Sequence, residues 1–294
     1  MDDAGGRKKP SASVFSRNES EQLYIFYLQM KSTTRDSISA FLRFPFEAVR
    51  AFTLYGLKGK YLAAVLCVFK SVPFGISLPP FGRIALYNEF LSIYDNIIEK
   101  ELRCDEIEDG IKKSARPVIV DLGINLGMTV RWWFSLNKNA VVYGIDMIPE
   151  SLEFTTGRLK TIPGSFNWTG IPSAVSDKKQ SFTIQYDDPL EGSNSVFSSA
   201  GKIKRTVTAD TLDNLLKQYA PAEIDLIKID IEGFGAVALR GGVELLSKCR
   251  YIILETHTPE EISEANRILI KLGWDLFLVK GRSAFYRNPA LLSE

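Results

Sequence analysis

Histidine occurs once and cysteine three times in these 294 residues. Cys67, Cys104 and Cys249 are widely and irregularly spaced. An odd, unpaired set of this kind argues against a disulfide framework and against a zinc site, and favours a reducing, cytoplasmic setting. Net charge is nearly absent at +1, so no global field draws the chain toward nucleic acid or an anionic surface. The ten Lys/Arg and six Asp/Glu of residues 1–60 are scattered and read as solvated faces. Long apolar runs are missing too. The longest, Tyr61–Phe69, is closed by Lys70 and falls far short of the ~20 residues that span a bilayer. It reads as a buried helix, with no membrane span. The opening MDDAGGRKKPSAS lacks the apolar stretch of a secretory signal. Neither a G-x-G-x-x-G loop nor an Asn/Asp-Pro-Pro-aromatic loop occurs, which weighs against a dinucleotide oxidoreductase and a base-flipping enzyme.

What is present is an ordinary globular composition, 45% apolar and 24% charged, long enough for one large domain and an appendage. Residues 1–20 read as a disordered tail. Residues 21–114 read as a helical N-terminal region, clearest at 84–102, where Ile84, Tyr87, Leu91, Tyr94, Ile98 and Leu102 recur at helical spacing. Glu89, Asp95 and Glu99 take its opposite side, and Pro73, Pro79 and Pro80 interrupt the region before it. This region is a candidate lid or substrate cap over a crevice in the downstream domain.

From residue 115 to 294 strands and helices alternate. VIVDLG (118–123), VVYGID (141–146), IDLIKID (224–230) and YIILET (251–256) are short buried strands, and further strands fall near 171–175, 181–186 and 203–208. Helices begin near Leu126, Pro149 and Asp210. Another starts at Thr258, with Pro259 in its first turn and Glu261 completing a capping box, and stops at Gly273. Trp274–Asn288 reads as a hairpin. The pattern predicts an α/β fold: a mostly parallel sheet covered on both faces, with an antiparallel strand from the terminal hairpin.

The strongest chemical signal is VDLGINLG (120–127). A strand that ends in Asp121 and turns through Gly123 into a helix at Gly127 brings backbone close to a ligand, at the edge where open α/β sheets bind. The Asp121 carboxylate suits a cationic group such as the ammonium of a bound amino acid. Asp146 ends the second strand 19 positions beyond Gly127 and can accept hydrogen bonds from ribose hydroxyls, so an adenosine-containing ligand is expected. In KIDIEG (228–233), Lys228, Asp230 and Glu232 alternate and share one side while the strand stays extended; an ion pair rimming the sheet is the plainer alternative. His257 follows the next strand and could take a hydroxyl proton near neutral pH. The carboxylates and one histidine make only a weak metal set, and none is assigned. Trp133 reads as core. Phe166 and Trp168 suit a base or the sheet equally.

Together these motifs resemble the FkbM-type methyltransferases of the class I S-adenosylmethionine-dependent superfamily. The resemblance rests on DLGINLG (121–127), GID (144–146), AVSD (174–177), TADTLDNLL (208–216), IDLIKIDIEG through LRGGVELL (224–246) and ILETH (253–257), and covers about 115–288. It implies a three-layer, Rossmann-like sheet of seven strands, the last antiparallel, and S-adenosylmethionine as cofactor. Asp121, Gly123, Asn125 and Gly127, with the adjoining Ile124, would hold the methionine part. Asp146, with Met147, would take the ribose, and Ala174 and Val175 would sit near adenine. Asp230 and Glu232 would face the methionine end or the acceptor, with His257 or Asp230 as base. Members often carry Ala at the place of Ile124 and a second Glu at the place of Gly235. The reaction implied is methyl transfer to a hydroxyl of a sugar or small metabolite. A non-catalytic binding or scaffold protein of the same fold, or a nucleotide-dependent oxidoreductase, are the rival readings. The acceptor and the oligomeric state stay open.

Overall fold

The computed structural model describes residues 47–99, 101–192 and 194–292. The tail expected over 1–20, and the start of the helical region, lie outside them. After a 3-10 turn at Phe52–Tyr55 the elements are α1 (Gly56–Phe69), β1 (Ser71–Leu78), β2 (Gly82–Leu86), α2 (Tyr87–Ile93) continued by a π-turn at Tyr94–Ile98, and α3 (Asp105–Lys113). Next come β3 (Val118–Leu122), α4 (Met128–Leu136), β4 (Val141–Asp146), α5 (Pro149–Leu159), β5 (Asn167–Pro172), β6 (Ala174–Ser176), β7 (Gln180–Tyr186), β8 (Ile203–Thr211) and α6 (Leu212–Leu216). The chain ends with β9 (Ile224–Ile229), α7 (Gly235–Arg240), α8 (Val243–Leu246), β10 (Cys249–Glu255), α9 (Pro259–Lys271), β11 (Asp275–Lys280) and β12 (Ser283–Arg287).

Seven strands form one sheet in the order β11-β12-β10-β9-β3-β4-β5. The five from β10 to β5 are parallel, and β12 runs against β10, as the hairpin reading requires. Successive residues of the β-branched runs point to opposite faces, so each strand feeds two cores. Val120, Leu122, Ile227 and Ile252 pack with α6, α7, α8 and α9 on one face. Ile119, Val142, Leu226 and Ile253 pack with α3, α4 and α5 on the other. This is the three-layer, Rossmann-like α/β fold.

Two parts depart from expectation. The segments near 181–186 and 203–208 are strands, but with β6 they form a separate three-stranded sheet, β6-β8-β7. The N-terminal region is helical around an antiparallel hairpin, β1–β2, that the sequence offered only as a proline break; its strands pair from Ile76↔Ile84 to Leu78↔Gly82. Ile84 is therefore a strand residue, and the helix expected over 84–102 begins at Tyr87. Nor is Tyr61–Phe69 a buried helix. Together with the preceding turns it forms a helical segment from Glu47 to Phe69 that is mostly exposed.

The described part of the N-terminal region is packed onto the sheet domain. Phe52, Leu62, Leu66, Phe81 and Phe90 share one core with Leu126 and Met128 at the start of α4, and Trp132 and Phe154 pack on it. Glu89, expected on the outer side of its helix, is fully buried and clamps the two parts together. Its carboxylate meets Arg131 of α4 at 2.9 Å and Arg158 of α5 at 2.8 Å.

Candidate functional site

The carboxyl ends of β3, β4 and β9 open into one cavity of about 460 Å³, within the usual size of small-ligand sites. The loop after β3 forms its floor. Gly123 has φ +78°, and a Cβ there would lie 1.8 Å from the Asp230 carbonyl oxygen, so the loops after β3 and β9 touch backbone to backbone. Gly127 (φ +64°) starts α4 directly against Thr155, and Asn125 also adopts a positive φ. Asp146 fastens this loop. Its Oδ2 accepts the N–H groups of Ile124 (2.9 Å) and Asn125 (3.0 Å), and its Oδ1 that of Ile148 (2.8 Å). A carboxylate has about four acceptor positions, so one remains on Oδ1. In the same loop, the side-chain Oδ1 of Asn125 is buried without a hydrogen-bond partner.

Asp121 does not reach the cavity. It is fully buried and accepts from Thr129 Oγ1 (2.7 Å) and Trp133 Nε1 (3.0 Å). The cation it serves belongs to the protein: Lys228 Nζ lies 3.3 Å from Asp121 and 3.2 Å from Asp230, and donates to the Gly123 carbonyl at 2.7 Å. Parallel register sets Asp121 beside Lys228 across β3 and β9. Burial alone would lower the Lys228 ammonium, but Asp121, Asp230 and Glu255 outweigh it and hold it above the ordinary lysine value. Lys228 thus knots both loops together.

Beyond Lys228 the wall turns acidic. Asp230, Glu232 and Glu255 line it, joined by Asp95 and Glu101 from the N-terminal region, with Arg282 as counter-charge 2.6 Å from Glu255. Burial, with Asp230 nearby, pushes Glu255 up to about 8 against the pull of Arg282 and Lys228. Burial, with Glu101 and Glu99, pushes Asp95 up to about 6. The strand does not stay extended through Glu232, as the alternation suggested. Glu232 has φ +44°, and its side chain swings to His257, whose Nε2 lies 3.2 Å away. His257 sits behind that wall rather than in it, and burial raises Glu232 while His257 opposes the rise. One donor atom each from Asp230, Glu255 and His257 lies within 4.8 Å of the others, a spacing that a divalent cation can bridge.

Of the sequence-predicted residues, Gly123, Asn125, Asp146, Met147, Ala174, Val175, Asp230 and Glu232 all line the cavity. Ile124 and Gly127 shape the loop from beneath. Phe166 packs on Phe134, and Trp168 donates to Thr156 under the sheet, so neither offers a face to a base. Sequence reasoning missed the wall built by Asn88, Leu91, Ser92 and Asp95. Their spacing of three and four along one helix was the available signal.

Residues 162–276 match a family model, that of the methyltransferase FkbM domain. The FkbM-type resemblance holds. The matched stretch contains AVSD, TADTLDNLL, KIDIEG and ILETH; DLGINLG and GID lie before it and stand where the fold needs them, at the ends of β3 and β4. No curated protein matches the sequence. Among solved structures, precorrin-6y C5,15-methyltransferase from Geobacter metallireducens is similar at 11% identity and a TM-score of 0.38, over 62% of this chain and 83% of that one. An S-adenosylmethionine-dependent methyltransferase from Aquifex aeolicus gives 16% identity and 0.37, over 67% and 90%. M. capricolum TrmK, in complex with S-adenosylhomocysteine, gives 11% and 0.34, over 64% and 69%. The sequence carries Gly235 where the resemblance implies a glutamate, and the structure packs this glycine closely. Glu261 of α9 accepts the N–H groups of Gly235 and His257, both at 2.9 Å. It does not close a reciprocal capping box with Thr258, whose hydroxyl alone caps α9. A Cβ at 235 would meet Leu254 at 2.6 Å and this carboxylate at 3.1 Å.

Proposed function

We propose that the protein is an S-adenosylmethionine-dependent methyltransferase acting on a hydroxyl oxygen of a sugar or small metabolite. One observation carries the reading: a single cavity joins the glycine loop and Asp146 at one end to Asp230, Glu232 and Glu255 at the other. The residues fit the cofactor. The free position on Asp146 Oδ1 and the unpartnered Asn125 Oδ1 are acceptors for ribose hydroxyls, and Ala174 and Val175 give an apolar wall for adenine. When bound, the cofactor supplies an electrophilic methyl group, so the protein has to align, exclude water and take up a proton.

Those tasks fall to the opposite wall. Asp230 is already paired with Lys228 and orients the acceptor. Glu255, whose proton affinity burial and Asp230 raise against the pull of Arg282, lines the same end. Glu232, whose proton affinity burial has raised, receives the hydroxyl proton, with His257 behind it to steady the charge. Asn88, Leu91 and Ser92 close the acceptor end as its cap. Three free cysteines support a reducing, cytoplasmic setting.

Titration calorimetry with S-adenosylmethionine and S-adenosylhomocysteine, then transfer of a labelled methyl group to panels of hydroxylated acceptors, tests the proposal. Glu232→Gln should lower kcat by about 100-fold or more while cofactor affinity holds within a few-fold. Failure to bind either cofactor form at millimolar concentration would sink it. Binding without transfer to any acceptor would favour the non-catalytic reading.

A further inference from the structure

Six of the ten large apolar side chains exposed among the described residues fall in one short stretch: Leu54, Leu57, Tyr61, Val68, Phe69 and Phe74. They are far out in solvent, Leu57 at 84% and Phe74 at 89% exposure. Leu54, Leu57, Tyr61 and Val68, with exposed Ala64, repeat at three- and four-residue steps and so form one stripe along the helix. Gly59, Leu62, Ala63 and Leu66 form the opposite stripe, buried against the hairpin and α2. At 100° per residue, Lys58 and Lys60 lie on the two flanks of the outward stripe. Lys70 and Arg50 are exposed near its ends. Glu47 is the sole carboxylate in residues 47–86, against Arg50, Lys58, Lys60, Lys70 and Arg83. Arg50, Lys58 and Lys60 form no ion pair among the described residues.

We infer that this face docks the protein on an anionic lipid surface, with α1 lying in the plane of the interface. An apolar stripe with lysines on both flanks is the arrangement that buries its apolar side among acyl chains while the ammonium groups reach the headgroups. The whole helical segment Glu47–Phe69, of which α1 is the second part, is long and apolar enough to cross a bilayer. Its inner stripe is nevertheless committed to a protein core, which it would have to leave in order to span. A second copy of the chain is the poorer occupant. A two-fold interface places each patch on its own image, and here that would oppose two lysine-flanked stripes, with Glu47 the sole carboxylate within residues 47–86. The inference is independent of the reaction, but the docked unit also carries α2, so the lipid surface would lie behind the wall that closes the acceptor end.

Vesicle flotation of the full chain tests this, with phosphatidylcholine vesicles compared with phosphatidylcholine containing about 30% phosphatidylserine. The expected result is flotation with the anionic vesicles that weakens as salt is raised. Leu57→Glu with Val68→Glu should weaken it at least about tenfold, and Lys58→Glu with Lys60→Glu more than about fivefold per residue. All four positions are on the outer surface, so thermal unfolding and S-adenosylmethionine affinity should match the parent chain and certify folding. Absence of flotation, including a stable dimer by light scattering that leaves vesicles untouched, overturns the inference. So does equal binding to neutral vesicles that is indifferent to the lysine changes.

Discussion

Replacing Glu89 by alanine should cost about 3–5 kcal/mol, although the residue touches neither cofactor nor acceptor. The figure rests on the partners its carboxylate holds. Oε1 meets Arg131 Nη2 at 2.9 Å and Arg158 Nε at 2.8 Å, and Oε2 accepts from Arg158 Nη2 at 2.8 Å. Oε2 also takes the N–H groups of Ala85 (2.9 Å) and Leu86 (3.1 Å), where β2 turns into α2. Without it, Arg158 can turn toward water through its partly exposed edge, but Arg131 is fully buried. Burial already lowers Arg131 to about 10 with Glu89 in place. Its remaining partners are the carbonyls of Leu126, Phe81 and, more distantly, Gly127 and Arg83, which carry no compensating charge. Stranding that guanidinium dominates the cost, and two unsatisfied N–H groups add to it. Urea denaturation of parent and Glu89→Ala chains reads the difference as a shift in midpoint at unchanged slope. Glu89→Leu with Arg131→Met removes both charges and should recover a substantial part of the loss. A single-variant loss below about 1 kcal/mol, or no recovery in the double variant, would refute the stranded-charge reasoning.

Other expectations concern the site itself. Gly123→Ala drives a Cβ into the Asp230 carbonyl oxygen at a φ that L-residues avoid, so it should lower thermal stability and weaken S-adenosylmethionine binding by about tenfold or more. Lys228→Met leaves Asp121 buried without a counter-charge and should cost about 3–5 kcal/mol in denaturant, a loss that adding Asp121→Asn reduces. Glu255 titrates near 8 in the folded protein, against about 4.5 when unfolded. The folded state therefore binds more protons between these values, and the stabilisation present at low pH is lost as pH rises through 8. From roughly pH 5.5 to 7.5 the parent should lose up to about 1.4 kcal/mol per pH unit relative to Glu255→Gln, read from denaturation midpoints in matched buffers. Parallel pH profiles would contradict the raised value.

The strands of the parallel core were legible because their residues are β-branched on both faces, as in VIVDL and IDLIKI, a composition that only a doubly covered sheet accommodates. The glycine loop was legible because its conformation demands particular residues at particular steps. What stayed hidden depends on register. Asp121 and Lys228 are 107 positions apart, and nothing local reveals that β3 and β9 lie side by side, so Asp121 read as a ligand for an outside ammonium when the protein supplies one. The hairpin β1–β2 escaped because Pro73 and Gly75 sit inside β1, breaking the alternation that would announce a strand. The helix α1 is apolar on two opposite sides, and a sequence cannot say which side a core has claimed.

Register also explains why one buried ammonium matters at both ends of the cavity. Lys228 donates to the carbonyl of Gly123, in the loop that would cradle the cofactor, and pairs with Asp230, which would face the acceptor. The same loops meet again where Gly123 crosses the Asp230 carbonyl. A displacement of either loop must therefore move the other, and the two substrates would be positioned by one rigid knot rather than by two independent sites. Glu89 holds a different boundary, between that knot and the helical wall carrying Asn88 and Leu91. Damage at Lys228 should thus appear in cofactor affinity and in turnover together. Damage at the Glu89 clamp should appear in the KM for the acceptor through that wall, and in cofactor affinity through Arg131, which donates to the Leu126 and Gly127 carbonyls of the glycine loop.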